Sequence, residues 1–413
     1  MFAWFFAFLL GAVPFLIGCR LDFIHAFFES VSGWTTTGLT IVDVTDMPHI
    51  FLFHRAFMQY CGGLGFIIMI SMFVQGSQDM NLFNAEGHPD RLMPSLKKTS
   101  QTIFMIYSCF LMLGILFYCL FGMGVFDALC HTMSALSTAG FTTQTGSIGH
   151  YRSLPIEIIT IILMLVGSTN FAVLLILSRG KFRRAFRVSE LRFMIGLLIV
   201  FVPLAAFSLV KDTSLSFGES MINSLFGIVT TFTTTGYSIM DYSHWPPFAV
   251  WLLIILMFIG GSAGSTAGGI KLIRAYLLIR IAIENIKNRL SPVQRISKPA
   301  YYRVQSREFI DDTLIKNTIG FVACYFAVFF TGTLLLTLTT DCTLFDAMFE
   351  FASAFGTVGI SNGLTSASAS AGSLVVLMIG MILGRLEVFI VFIGIFSIIQ
   401  KIKLLNTNFK IIK

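Results

Sequence analysis

Four short segments combine hydroxyl residues and a glycine at one spacing: Thr36-Thr37-Gly38-Leu39-Thr40, Thr138-Ala139-Gly140-Phe141-Thr142, Thr234-Thr235-Gly236-Tyr237-Ser238 and Thr357-Val358-Gly359-Ile360-Ser361. Aligned on their glycines without gaps, each has Thr two places earlier, an apolar residue next and a hydroxyl residue one further on. Six places before the glycines stand Ser32, Ser134, Thr230 and Ser353, and twelve before stand Ala26, Ala128, Ser224 and Ala347. This is an internal fourfold repeat, and a repeat decides architecture before any local pattern does. Glycine permits backbone angles that side chains resist, so successive carbonyls can be turned toward one axis. Four such loops around an axis make rings of oxygen, which replace the hydration shell of a dehydrated cation. Thr-x-Gly alone is a common turn signal. Four copies in equivalent contexts set that reading aside.

The carbonyls of Thr37, Ala139, Thr235 and Val358 are the candidate ligands of a potassium ion, within loops formed by Thr36, Gly38, Thr138, Gly140, Thr234, Gly236, Thr357 and Gly359. Thr357-Val358-Gly359 reads like part of a potassium-channel filter. A short helix before each loop would aim its partly negative C-terminus at the same axis.

Elements able to position these loops follow from composition. The 413 residues are 55% hydrophobic and 12% charged, with mean hydropathy +0.83, leaving too little polar surface for a soluble domain of this size. Apolar stretches of about 18 to 27 residues match helices that cross a hydrocarbon core of roughly 30 Å. The seven cysteines form no Cys-x-x-Cys pair and sit mostly in or beside apolar runs, so neither a disulfide framework nor a zinc site is expected.

In chain order, residues 2–18 are expected to form a first transmembrane helix. Leu16-Ile17-Gly18-Cys19 resembles a lipoprotein cleavage box, but no Lys or Arg precedes the apolar segment as such signals require. Residues 23–33 are too short and polar to cross, and 51–74 return. The second unit spans at 103–125, re-enters at 126–136 and returns at 155–177. The third spans at 193–210, re-enters at about 217–229 and returns from Pro247; the fourth spans at 316–338, re-enters at 345–355 and returns at 374–400. The expected fold is an all-α polytopic membrane protein of four fused helix, pore-helix and helix units, 1–78, 79–190, 191–290 and 291–413, around a pseudo-fourfold ion pathway. Non-helical backbone at membrane depth is tolerated only where protein buries it or water lines it, so four re-entrant loops imply a shared aqueous path.

Basic residues crowd the connections around 179–192 and 274–307 and the tail (Lys401, Lys403, Lys410, Lys413), which therefore belong in the cytoplasm, as do both termini. Asp22, Glu29, Asp43, Asp46, Asp241, Asp341, Asp346 and Glu350 lie on filter-side segments and are expected to face outward, concentrating cations at the mouth. The net charge of +7 reflects this topology; a nucleic-acid surface is disfavoured because the charges flank spans instead of forming one basic face.

The third return segment is interrupted by Gly260-Gly261-Ser262-Ala263-Gly264-Ser265-Thr266-Ala267-Gly268-Gly269. Each helix-interior glycine costs about 1 kcal/mol relative to Ala, so this run predicts a broken, flexible gate under the filter. Close helix packing explains part of such a run, and a phosphate loop lacks its Gly-Lys-Ser/Thr ending. Arg385 and Glu387 lie within the fourth return segment, where a charge costs roughly 2.5 to 3.5 kcal/mol on insertion scales and faces a cavity or partner. Arg385 is read as an electrostatic barrier below the filter; for Glu387 an ion pair with a neighbouring helix stands beside the pathway reading. The seven histidines show no metal-ligand spacing.

These residues resemble the Trk/Ktr/HKT cation transporters, relatives of potassium channels with four channel-like units in one chain. The four filter glycines, the glycine-rich break and Gly384-Arg385-Leu386-Glu387 carry the resemblance, which is closer to the TrkH than the KtrB branch. It implies a potassium-translocating subunit gated by Gly260, Gly261, Ser262, Gly264, Gly268, Gly269 and Arg385. Glycine at all four filter positions is similar to potassium-selective members rather than sodium-preferring ones with Ser at the first. It further implies a homodimer, a cytosolic TrkA-type nucleotide-binding partner, and an inner-membrane location. No tightly bound cofactor is implied beyond transported potassium. TrkH-type chains commonly carry an additional N-terminal helical hairpin, whereas this sequence starts inside what would be the first helix of the first unit. A transporter for another substrate would show inverted repeats. An intramembrane enzyme would need a nucleophile with its base or a metal set, and none of the corresponding motifs is present. Carbonyl rings serve a channel and a symporter alike.

Overall fold

The computed structural model describes residues 2–65, 96–290, 299–304, 306–394, 396–397 and 400. The first pass of the pattern is α1 (Phe2–Ile17), the short α2 (Phe23–Trp34), a loop through Gly38, and α3 (His49–Leu64). The second is α4 (Leu96–Leu120), α5 (Val125–Leu136), the Gly140 loop, and α6 (Leu154–Ser168) with α7 (Phe171–Ser178), after which comes the one-turn α8 (Phe182–Ala185). The third is α9 (Ser189–Asp212), α10 (Phe217–Phe232), the Gly236 loop, α11 (Pro247–Phe258) and α12 (Leu272–Leu290). A small antiparallel hairpin, β1 (Ala300–Tyr302) with β2 (Arg307–Phe309), leads to α13 (Asp312–Thr339), α14 (Leu344–Phe355), the Gly359 loop, α15 (Ala371–Arg385) and α16 (Val388–Gly394). Among the described residues the hairpin and an isolated parallel bridge between Ile259 and Ile270 are the departures from the expected all-α chain. The end of the first return span beyond Gly65, Arg295, Lys298, His88 and the tail lysines lie outside the described residues.

By length and hydropathy α4, α9 and α13 can each cross a membrane; these are the leading helices of the second to fourth passes. The second, third and fourth return segments are not straight spans as the apolar runs suggested; the third is broken between Phe258 and Leu272. The α6–α7 pair bends by 114° and the α15–α16 pair by 99°. Neither bend needs a proline. Asn170 starts α7 by accepting the Ala172 N–H at 2.7 Å, and Glu387, with φ 59°, breaks the fourth return just after Arg385.

Packing arranges the short helices in a ring. Each of α2, α5, α10 and α14 packs on the helix before it, and each also meets a return helix from an adjacent pass: α3 meets α5, α6 meets α10, α11 meets α14 and α15 meets α2. The fourth pass therefore closes onto the first. Their buried faces feed two large apolar cores, one centred on α9–α11 and α13–α15, the other on α4–α6. Apolar side chains such as Phe207, Leu334 and Leu338 remain exposed on the outside of the long helices, where lipid would cover them.

Candidate functional site

The four repeat loops have one backbone conformation. Each short helix ends on a right-handed residue (Thr35, Ser137, Thr233, Gly356), followed by a threonine forced left-handed: Thr36 φ 55°, Thr138 51°, Thr234 57°, Thr357 53°. A β-branched residue there is a genuine outlier, and such strain, about 1–3 kcal/mol each, clusters at functional sites. Two places on, the glycines also have positive φ (92°, 81°, 85°, 86°). The residue between is tied back to its own helix: Thr37 N donates to Ser32 O (3.0 Å), Ala139 N to Ser134 O (3.0 Å), Thr235 N to Thr230 O (2.9 Å) and Val358 N to Ser353 O (2.8 Å). The hydroxyl positions seen in the repeat therefore mark the residues whose carbonyls receive these bonds.

The loops close on one another in chain order. A Cβ added to Gly38 would meet Ala139 O at 2.1 Å, one on Gly140 would meet Thr235 O at 2.1 Å, one on Gly236 Val358 O at 2.1 Å, and one on Gly359 Thr37 O at 1.9 Å. Each glycine thus abuts the carbonyl of the next loop, and the last abuts the first. All four carbonyls named from the sequence lie in this ring.

On one side of the ring is a cavity of about 750 Å³ lined by Gly236, Gly359, Ser361 and Asp241, and also by His150 and Arg152, which the sequence reading did not put there. Asp22, Asp43, Asp46, Asp241 and Asp341 are exposed, and of these Asp241 lines the cavity. Hydrogen bonds from Thr45 hold the Asp43 carboxyl below its usual range, and bonds from Ser243 do the same for Asp241. Glu29 and Glu350, grouped with them from sequence, are instead fully buried behind the loops. An acid's position in the chain does not reveal which face of a short helix it occupies.

The glycine-rich segment lies against the other side. Thr266 Oγ1 is 3.0 Å from Thr138 Oγ1, Gly268 N donates to Thr234 Oγ1 at 3.1 Å, and a Cβ on Gly268 would meet Thr357 Oγ1 at 2.0 Å. Three of the four left-handed threonines therefore touch it. It is a pinched loop rather than a loosened helix: Gly260 N donates to Ile270 O (2.9 Å), Ile270 N to Phe258 O (3.0 Å) and Leu272 N to Gly261 O (3.1 Å), joining its two ends. Asn170 Nδ2 donates to Ala263 O at 2.6 Å, and Ser262 N to Ser168 O at 2.9 Å. Arg385 donates to Thr266 O in this loop and, at 2.5 Å, to Gly62 O of α3, linking the loop across to the first pass. Glu387 accepts from Arg274 at 2.8 Å, the ion pair with a neighbouring helix. Glu387 and Arg274 line a second cavity, of about 510 Å³, with Lys271 and Arg303.

Two further polar residues, Gln59 and Arg55, were missed. Gln59 Nε2 donates to Ala139 O at 2.8 Å, while its Oε1 accepts from Ser134 Oγ (2.7 Å) and Phe141 N (3.2 Å). Arg55, 1% exposed, donates to Glu29 Oε2 at 3.3 Å and to Thr40 Oγ1 at 2.7 Å, and its guanidinium lies 3.9 Å from the Phe141 ring centroid. The available signal was a polar or charged residue inside an apolar return run, which marks a buried partner or cavity.

Apolar spans enclosing four re-entrant helices, whose strained loops close on one axis, define a polytopic pore-loop membrane protein. The family model described as TrkH, cation transport protein, matches residues 14–401. The chain belongs to the TrkH family, a family of cation transport proteins and not of enzymes. It is 30% identical over 397 residues to the Trk system potassium uptake protein TrkH of Salmonella typhimurium, covering 92% of this chain and 80% of that one. It is 30% identical over 406 residues to the Trk system potassium uptake protein TrkG of Escherichia coli, covering 94% and 82%. Its structure is similar to the crystal structure of the potassium transporter TrkH from Vibrio parahaemolyticus, with a TM-score of 0.83 at 28% identity over 94% of this chain and 82% of that one.

Proposed function

We propose that this chain carries potassium ions across the cytoplasmic membrane through the ring formed by Thr37, Ala139, Thr235 and Val358 and their neighbouring threonines and glycines. The observation that carries this reading is the cyclic contact of each loop glycine with the next loop's carbonyl. Backbone carbonyls held this way can replace the water around a dehydrated cation, with rigidity supplied by the helix-tethered amides. The potassium-uptake names of the relatives support the choice of ion. Residues 260–269 and Arg385 act as the gate, because the loop covers the inner face of the ring and the guanidinium fastens it to α3.

The exposed basic residues of the 179–187 connection face the cytoplasm, with the acidic mouth outside, following the positive-inside bias. The chain works as a homodimer with a cytosolic TrkA-type nucleotide-binding partner, as its likeness to Trk system proteins supports. The test is growth and potassium uptake in a bacterial host without its own uptake systems, with and without such a partner. The intact chain restores growth at low potassium and Gly359→Ser does not, since a side chain there meets Thr37 O at 1.9 Å at a φ of 86°. Sodium uptake without potassium rescue, from a well-expressed chain, would overturn the choice of ion.

A further inference from the structure

The first and fourth loops are braced in a way that the other two are not. Nine places before their glycines stand Glu29 and Glu350, both 0% exposed. Glu29 accepts from Thr40 Oγ1 at 2.7 Å and from Ile41 N at 2.8 Å. Glu350 accepts from Ser361 Oγ at 2.9 Å and from Asn362 N at 3.1 Å. These donors occupy equivalent positions: a hydroxyl two residues past the glycine and a backbone amide three residues past it. Glu350 also accepts from Thr365 through its backbone N, at 3.2 Å, and its Oγ1.

The same position in the second repeat is His131, whose Nδ1 contacts Asp127 O of its own helix at 2.8 Å. In the third it is Gly227, where a Cβ would meet the Trp245 ring at 2.5 Å. Those loops take other supports. The second has Gln59, and in the third Ser147 Oγ accepts the Ser238 N–H at 3.2 Å.

A carboxylate that receives both a hydroxyl and an amide just beyond the glycine ties the strand leaving the ring to the short helix entering it. Few rotatable backbone bonds then remain between the two anchors, so the intervening carbonyls are held in direction. The first and fourth loops adjoin, through Gly359 and Thr37 O. One half of the ring is therefore fastened by fully buried acids; in the other half the second loop has Gln59 and the half-buried Asp127, which accepts from Thr143 Oγ1 at 2.6 Å, and the third has Ser147.

We propose that Glu29 and Glu350 are positioning residues that set the carbonyl geometry of these two adjoining strands and, through it, the ion preference of the ring. The inference rests on the filter reading above. Supporting groups that orient metal ligands typically change affinity or activity by about 10- to 100-fold when removed. Glu350 is the one to test, because removing Glu29 strands the buried guanidinium of Arg55.

The full chain is reconstituted in liposomes, and rubidium uptake is measured for apparent KM, maximal rate and inhibition by sodium. Glu350→Ala is expected to raise KM about tenfold and to let sodium compete, at unchanged protein content and with a smaller change in maximal rate. Glu350→Gln, which keeps one acceptor oxygen, recovers most of the preference. Ser361→Ala and Thr365→Val each remove one donor and shift the same ratio in the same direction by a few-fold, which keeps the test available should Glu350→Ala not fold. Wild-type KM and sodium exclusion in Glu350→Ala, or in both donor variants if it cannot be purified, overturn the bracing role. If Gly359→Ser also leaves selectivity untouched, the filter reading itself fails; if Gly359→Ser abolishes it while the Glu350 set does not, the bracing proposal fails alone.

Discussion

Gln59 shows how much one side chain can hold. Its amide is shared among the Ala139 carbonyl, the Ser134 hydroxyl and the Phe141 amide, which belong to the second loop and the helix entering it. A carbonyl has two acceptor positions, so the bond at Ala139 leaves one for an ion. Gln59→Leu keeps the bulk and removes the partners of buried polar groups. The expected loss is about 1–3 kcal/mol of stability, read as earlier melting of the detergent-solubilised protein, with weakened potassium preference in uptake assays. Unchanged melting would mean that water or a neighbouring group replaces the amide. The left-handed threonines obey the same logic. Their strain is tolerated because the next residue's N–H is tied to its own helix and the following glycine leaves room for the neighbouring carbonyl.

The glycine-rich loop owes its shape to its two ends, which are bonded together, and to three threonines of the ring above it. In the gating role proposed for it, opening the loop would mean breaking the Arg385 bonds to Thr266 and Gly62 and moving Gly268 away from Thr357. Arg385→Ala is expected to raise partner-independent rubidium flux into liposomes several-fold. Flux below wild type at equal protein content would show that the guanidinium supports conduction instead of restraining it. Gly268→Ala inserts a methyl group at 2.0 Å from Thr357 Oγ1, so loop or threonine must shift. That variant is expected to show both raised basal flux and a lower melting temperature, whereas a change in melting alone would separate the loop's packing from its gating.

At the scale of the whole molecule, the cavity beside the ring is lined by Asp241 with Arg152 and His150, while Arg179, Lys181, Arg183, Arg184 and Arg187 are exposed in the connection that follows α7. Exposed charges act through a field that salt screens beyond roughly 8–10 Å. Asp241→Asn is therefore expected to reduce uptake at low ionic strength by about two- to threefold, with the difference vanishing in high concentrations of an impermeant salt. A loss independent of salt would point to a structural role. The sign of the pH response follows from the lowered Asp43 and Asp241 carboxyls. Their hydrogen-bonded, ionised forms contribute above the ordinary carboxylate range and are lost only as pH falls below it through the lowered values. The mouth charge from these two acids thus stays constant across neutral pH, and their contribution to uptake should fade only in strong acid.

The sequence by itself determined the four loops, the short helices before them, the membrane setting and the interruption at 260–269. Each of these rests on neighbours in the chain: a glycine and threonine at fixed spacing, the length of an apolar run, the density of helix-breaking residues. Only the tertiary structure decided that Gly359 closes onto Thr37, that Arg385 reaches Gly62, and that Gln59 supports Ala139, since these partners lie far apart in the chain and nothing in local spacing encodes their meeting. It also turned Glu29 and Glu350 inward and bent the second and fourth return helices. Hydropathy along a segment measures how much apolar surface must be covered. Which face is covered, by which partner, and where a helix bends to satisfy its end groups depend on packing in three dimensions.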